Sequence, residues 1–131
     1  MAILGLCLVV AFLLAGCGGK GAPQNVNCPG KIKWEVTPEA MLTQFDCALG
    51  KHGGQPALIF TVGVVNATDK PQRFRVNILL EDMDKGAGHM VPRTGKPPVL
   101  GPGNPATVKI PFIGVDKEPK KILVMVKTAT Y

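Results

Sequence analysis

Glycine and proline interrupt this chain at short intervals, with 16 glycines and 12 prolines among 131 residues. Both residues concentrate in turns, because glycine tolerates backbone angles that other residues avoid and proline fixes φ. The segments between them are short and often alternate apolar with polar residues, and no helical period extends beyond two turns. The chain is therefore expected to form strands joined by turns rather than long helices.

Two segments show the strand pattern most clearly. Residues 57–66 are apolar on both faces, which predicts a central strand covered on both sides. Residues 72–81 alternate, and the apolar Phe74, Val76, Ile78 and Leu80 share one face of the predicted strand. Further strands are expected at residues 32–36, 106–112 and 122–128.

With residues 43–47, which could also be extended, and the ambiguous segment 89–100, these five segments amount to about six or seven strands in a chain of single-domain length. They predict an all-β protein, an antiparallel β-sandwich, with an open barrel as the competing architecture. Residues 37–42 are expected to form one helical turn capped by Thr37. The length excludes a doubly wound nucleotide-binding enzyme and an (α/β)₈ barrel, since both need a longer chain.

The N-terminus carries an export signal. Residues 2–16 contain no charged or strongly polar side chain, and they are shorter than the roughly 20 residues that span a bilayer. The run ends in Leu14-Ala15-Gly16-Cys17, which resembles the bacterial lipoprotein signal. That resemblance implies cleavage before Cys17 and lipid attachment to it. With Gly18 next, it implies an outer-membrane anchor facing the periplasm.

The roles of the four cysteines follow from this assignment. Cys7 leaves with the signal and Cys17 carries the lipid, so Cys28 and Cys47 remain in a compartment that permits disulfides. A bridge between them would stabilise the fold by about 3 kcal/mol through loop-closure entropy. Two buried free thiols are the alternative.

The chain is thus divided into three parts. Residues 1–16 are the signal peptide, residues 17–27 are the lipidated N-terminus and a glycine-rich flexible tether, and residues 28–131 are the β-domain.

Three turn motifs occur in series: Phe60-x-x-Gly63-x-Val65-Asn66-x-Thr68-x-x-Pro71, Asp84-Lys85-Gly86 and Leu100-x-Pro102-Gly103. The series resembles the immunoglobulin-like domains of small exported bacterial lipoproteins, such as the FxLYD group. The resemblance covers residues 58–112 and implies an immunoglobulin-like sandwich that serves as an adhesion, scaffold or accessory module, without catalytic residues. Asn66-Ala67-Thr68 also fits the glycosylation sequon, but a turn is the better interpretation in a bacterial lipoprotein.

The sequence offers little for catalysis. It contains no serine and only two histidines, and both mature-chain cysteines outside the lipid site are expected to be paired. We therefore predict a protein that is not an enzyme and needs no cofactor.

The charge points to an anionic partner. Lysine and arginine number 15 against 9 acidic residues, and the net charge is +6. The outward positions of the predicted strands include Arg73, Arg75, Lys109 and Lys127. Such a face near a membrane favours lipid head groups, an acidic glycan or an acidic envelope protein. Nucleic acid is not expected, since the compartment is wrong and aromatic residues are few.

A metal site is the alternative function. Met83, His89 and Met90 are the ligand types that copper(I) prefers, and they lie close together in the sequence of an exported protein. The two aspartates at 82 and 84 lack the downstream ligands of a calcium loop, and a plain hairpin is expected there. The leading hypothesis is a non-catalytic envelope lipoprotein, and the alternative is a periplasmic copper-binding lipoprotein.

We expect Cys17→Ala to release the protein from membranes. A lipidated N-terminus holds a protein stably through its acyl chains, and this variant cannot carry them. Membrane fractionation measures the effect, with Cys7→Ala as the control because it removes a cysteine of the signal. A Cys17→Ala protein that still pellets like the wild type would exclude the lipoprotein assignment.

Overall fold

A computed structural model describes residues 21–131 of the chain, and within this range there is no helix. The predicted signal peptide and Cys17 lie outside the described residues. The described part forms eight strands: β1 (Val26–Asn27), β2 (Lys31–Val36), β3 (Ala40–His52), β4 (Gln55–Asn66), β5 (Arg73–Leu80), β6 (Lys85–Val91), β7 (Pro105–Ile113) and β8 (Lys121–Ala129).

The strands form two mixed sheets of four. The first sheet has the order β1-β3-β4-β7 and the second has the order β2-β8-β5-β6. Most neighbours are antiparallel, as predicted, but β1 pairs with β3 and β2 pairs with β8 in parallel. The expectation of a wholly antiparallel fold is wrong for these two pairs. No hairpin sets their direction, since β2 lies between β1 and β3 in the chain and β8 is far from β2.

The apolar faces of both sheets contribute to one hydrophobic cluster. Aromatic contacts run across it: the ring centroids of Trp34 and Phe45 are 5.1 Å apart, and Phe60 lies 5.4 Å from both Phe45 and Phe112. This row joins β2 of the second sheet to three strands of the first. The core, the strands and the disulfide described below all lie within residues 21–131, so this part of the chain has a hydrophobic core of its own.

The central position predicted for residues 57–66 is confirmed, because β4 pairs with β3 on one side and β7 on the other. Its two faces differ in burial although both are apolar. Phe60, Val62 and Val64 are fully buried, whereas Ile59 and Val65 on the opposite face are half-buried. The expected cover on both sides is therefore only partial in the described structure.

A β-bulge explains why β3 was hard to recognise in the sequence. Its inward positions are Leu42 and then Phe45, because the pairing with β4 shifts register between Leu42 and Gln44. The helical turn expected at residues 37–42 is wrong, since Ala40 already begins the strand. Gly63 faces the bulge, and a Cβ there would collide with Oγ1 of Thr43. The extra residue of the bulge therefore fits because Gly63, which lies opposite it, has no side chain.

The predicted disulfide is present and links Cys28 to Cys47 with a Cα–Cα distance of 5.0 Å. In the parallel pairing Asn27 lies opposite Asp46, so the two cysteines are the next positions along the same ladder. The bridge therefore extends the short β1 contact and attaches the N-terminal segment to β3.

Residues 21–27, expected to be part of a flexible tether, pack on the domain. Pro23 is buried, and the carbonyl of Asn25 accepts a hydrogen bond of 3.0 Å from the Phe45 amide. A Cβ on Gly21 would lie 2.8 Å from Cβ of Val36, so the backbone there runs directly against the end of β2. The folded part consequently begins before the expected boundary at residue 28.

Asn66 holds the crossing from the first sheet to the second. It is the only buried polar or charged residue among those described. Its amide donates to the carbonyls of Lys70 at 2.7 Å and Leu100 at 2.9 Å, and its Oδ1 accepts from the backbone and the hydroxyl of Thr68. The Asn-x-Thr sequence is therefore a structural turn, as the sequence indicated.

We expect Asn66→Ala to lower the free energy of unfolding by about 4 kcal/mol. The change removes four side-chain hydrogen bonds, and each contributes about 1 kcal/mol. Chemical denaturation measures the loss. Asn27→Ala is the control, because Asn27 is exposed, and equal stability of the two variants would contradict the role of Asn66.

Candidate functional site

The outward surface of the second sheet is strongly basic. Strand alternation sends Ile32, Phe74 and Val124 into the core and their neighbours outward. The outward basic positions on β2, β5 and β8 are Lys31, Lys33, Arg73, Arg75, Lys121 and Lys127. Against these six, the outward positions of the sheet's four strands include one acidic residue, Glu35, and the exposed Glu81 directly follows β5 beside Lys121. We call this surface the basic face.

Like charges lie directly opposite each other at two places on the basic face. Arg75 pairs with Lys127 across β5 and β8, and Lys31 pairs with Lys121 across β2 and β8. All four side chains are exposed. Facing like charges destabilise a sheet, so folding alone does not favour these pairs. An anion bound between them would relieve the repulsion, and an arginine can hold a phosphate or carboxylate through two hydrogen bonds.

Arg73 has a different role from Arg75 although both were predicted to bind a partner. It is half-buried, and its guanidinium donates from Nε to the carbonyl of Pro92 at 3.3 Å and from Nη2 to that of Arg93 at 3.2 Å. Arg73 therefore fastens the segment after β6 to the sheet. Its substitution would disturb that segment as well as any binding.

Lys109 lies on the other side of the molecule. It is exposed on β7 opposite Thr61 of β4, and thus on the outward surface of the first sheet. The four predicted basic residues consequently do not form one surface. The sequence showed that Lys109 points outward, but alternation alone does not indicate which sheet a strand joins. For the same reason the contributions of Lys31, Lys33 and Lys121 to the basic face were missed.

An apolar centre lies within the basic face. Leu79 of β5 pairs with Leu123 of β8, and Met125 follows two positions along β8. Leu79 is 37% exposed, and the other two side chains are half-buried. On the edge strand β6, Gly86 lies opposite Leu79, and a Cβ there would be 2.7 Å from Cδ2 of Leu79. Leu79 therefore leans over the glycine, which adds no side chain to this part of the surface.

The three expected metal ligands are not brought together. His89 and Met90 are consecutive in β6, so their side chains leave opposite faces, and Met90 lies opposite Arg75. Nδ1 of His89 donates to the Met90 carbonyl at 2.9 Å. Lys85, the first residue of β6, is about 13 Å from His89 along the strand at 3.3 Å per residue. Met83 lies in the turn before Lys85 and is therefore at the far end of the strand. Within residues 21–131, no three His, Cys, Asp or Glu residues form a group able to hold a metal ion.

The aspartate pair expected to form a hairpin does so. Residues 81–84 form the turn between β5 and β6, and the carboxylate of Asp82 accepts the amides of Lys120 at 3.0 Å and Lys121 at 3.1 Å. The hydrogen bond from Lys121 is the main cause that lowers the pKa of Asp82 below its ordinary value of 3.8. Asp82 thus ties the turn to the start of β8.

Comparison with protein-family models, with curated proteins and with solved structures finds no match for this chain. The resemblance to the FxLYD group therefore rests on the turn motifs. In residues 21–131 there is no helix of the length and apolarity needed to cross a membrane.

We expect the stability of the fold to fall in acid through Asp82. Its pKa is lower in the folded chain than in the unfolded one, so the stabilisation is fully present above pH 3.8 and is lost as pH falls toward the folded-state value. Asp82→Asn should be less stable than the wild type at neutral pH, and the difference should shrink below pH 3.8.

Chemical denaturation at successive pH values measures this difference. Asp84→Asn is the matched control, since Asp84 is an exposed carboxylate of the same turn. A loss for Asp82→Asn that does not change with pH, or one that Asp84→Asn reproduces, would contradict the assignment.

Proposed function

We propose that this chain is a non-catalytic lipoprotein of the bacterial cell envelope, whose β-domain binds an anionic partner through the basic face. The observation that carries the proposal is the excess of six outward basic residues over the acidic Glu35 and Glu81 on a single sheet. Such a surface attracts anions over a distance of about a Debye length and holds them at the like-charge pairs.

The envelope location is proposed from two features of the chain. Leu14-Ala15-Gly16-Cys17 is the lipoprotein signal described above. The Cys28–Cys47 disulfide agrees with export, because disulfides persist in oxidising compartments. In this proposal the anchor is in the outer membrane and the domain faces the periplasm.

The architecture is proposed to be an immunoglobulin-like β-sandwich related to the FxLYD group. The shared core of the two sheets supports a sandwich. The Asn66 turn supports the relationship, because the motif that carries the resemblance is the crossing between the sheets. Domains of this architecture present surfaces to partners, and function depends on the surface rather than on the fold.

We expect Arg75→Glu/Lys127→Glu to weaken binding to a soluble polyanion such as heparin by at least about ten-fold, since each cation near an anionic surface contributes about 1 kcal/mol. Binding should also fall with added salt. The measurement is a titration of residues 21–131 with heparin at several salt concentrations. Stability should be nearly unchanged, because the variant replaces one exposed facing pair of like charges with another.

The matched control is Lys51→Glu/Lys109→Glu. It reverses two charges as well, but at exposed positions on the strands of the first sheet. If both double variants weaken binding equally, net charge rather than the basic face is responsible. If the wild type does not bind heparin at low salt, the proposal is wrong.

A further inference from the structure

We infer that the anionic partner of the basic face is a phospholipid bilayer surface, with the apolar centre at the boundary between head groups and acyl chains. The inference rests on the proposed function and specifies its partner. Three observations carry it: the arrangement of charge around the apolar centre, the glycines of the neighbouring edge strand, and the position of Gly21, the first described residue.

Basic residues lie on several sides of the apolar centre, and the acidic Glu35 lies opposite Met125. Lys33 lies opposite Leu123 on β2, and Lys121 lies two positions before Leu123 on β8. Arg75 and Lys127 lie beyond Met125 in the other direction. Lysine and arginine have long apolar stems, so their charged ends reach phosphates while shorter apolar side chains between them enter the interface.

The edge strand beside the apolar centre adds few side chains to the surface. Gly86 and Gly88 have none, and Leu79 and Asn77 occupy the space over them. An apolar centre with cations near it complements a bilayer, which presents anionic groups at one level and hydrocarbon directly beneath. An acidic protein would need a matching apolar projection and carboxylates at the same spacing.

The first described residue, Gly21, lies beside the end of β2. Gly21 contacts Val36, the last residue of β2. Val36 pairs with Val126 of β8, and Lys127 is the next residue along β8. Cys17 precedes Gly21 by four positions, and at most about 3.6 Å per residue limits that connection to about 14 Å. A lipid on Cys17 would therefore hold this end of β2, with Lys127 beside it, close to the membrane.

The test uses residues 21–131, which have their own core and disulfide and carry no anchor. Co-sedimentation compares phosphatidylcholine vesicles with vesicles that also contain phosphatidylglycerol. We expect binding to the anionic vesicles only. Leu79→Asn should weaken that binding about five-fold or more, because a side chain in the interface loses its apolar contact. Ile113→Asn is the matched control, since Ile113 is 50% exposed on the first sheet.

A second measurement does not depend on the stability of a polar variant. Leu79→Trp should show a blue-shifted emission with anionic vesicles and should be quenched by brominated lipids, whereas Ile113→Trp should show neither. Trp34 is present in both variants and cancels in the comparison.

The outcomes separate the inference from the proposed function. Loss of vesicle binding in Leu79→Asn with unchanged heparin binding supports a bilayer partner. If Leu79→Asn binds vesicles like the wild type and Leu79→Trp is not quenched, the bilayer inference is wrong. The proposed function is then still tested by the heparin titration of Arg75→Glu/Lys127→Glu. Equal binding to neutral and anionic vesicles would overturn the inference too.

Discussion

The arrangement of the two sheets depends on the buried amide of Asn66. At this residue the chain leaves the end of β4 in the first sheet and begins the loop that leads to β5 in the second. The side chain connects that loop, through Lys70, to the segment before β7, through Leu100. The backbone of Asn66 adds contacts of 3.1 Å and 2.9 Å with Asn104 and Gly103. One polar group therefore holds the crossing between the two sheets. The strand order of the second sheet then brings its basic residues onto one face.

The sequence predicted strands wherever one pattern held for the length of the element. In β5 every second residue from Phe74 to Leu80 is apolar, so both the extent of the strand and its buried face were predicted. In β3 the bulge after Leu42 moves the buried position to Phe45, and the spacing of three resembles a helical period. The parallel pairs could not be predicted, because β2 and β8 meet only through long-range packing.

The candidate site was predictable residue by residue but not as a surface. Alternation indicated that Arg75, Lys109 and Lys127 face outward, and they do. The pairing of Arg75 with Lys127 and the separation of Lys109 depend on strand order, which short-range patterns do not contain. Likewise, His89 and Met90 are neighbours in the sequence, yet a strand directs consecutive side chains to opposite faces. In a helix the side chains of consecutive residues diverge less. Whether His89 and Met90 could bind one metal ion therefore depended on the secondary structure of this segment.

The burial of Asn66 also limits the hosts in which this domain can be produced. Asn66-Ala67-Thr68 is an acceptor sequence for N-linked glycans, and eukaryotic secretory cells attach such glycans to chains before they fold. A sugar on the Asn66 amide would replace a hydrogen that the folded turn donates to a carbonyl, and 0% of the residue is exposed. Modification and folding therefore exclude each other at this residue. A bacterial periplasm without that pathway supplies both the oxidising conditions for Cys28 and Cys47 and an unmodified asparagine.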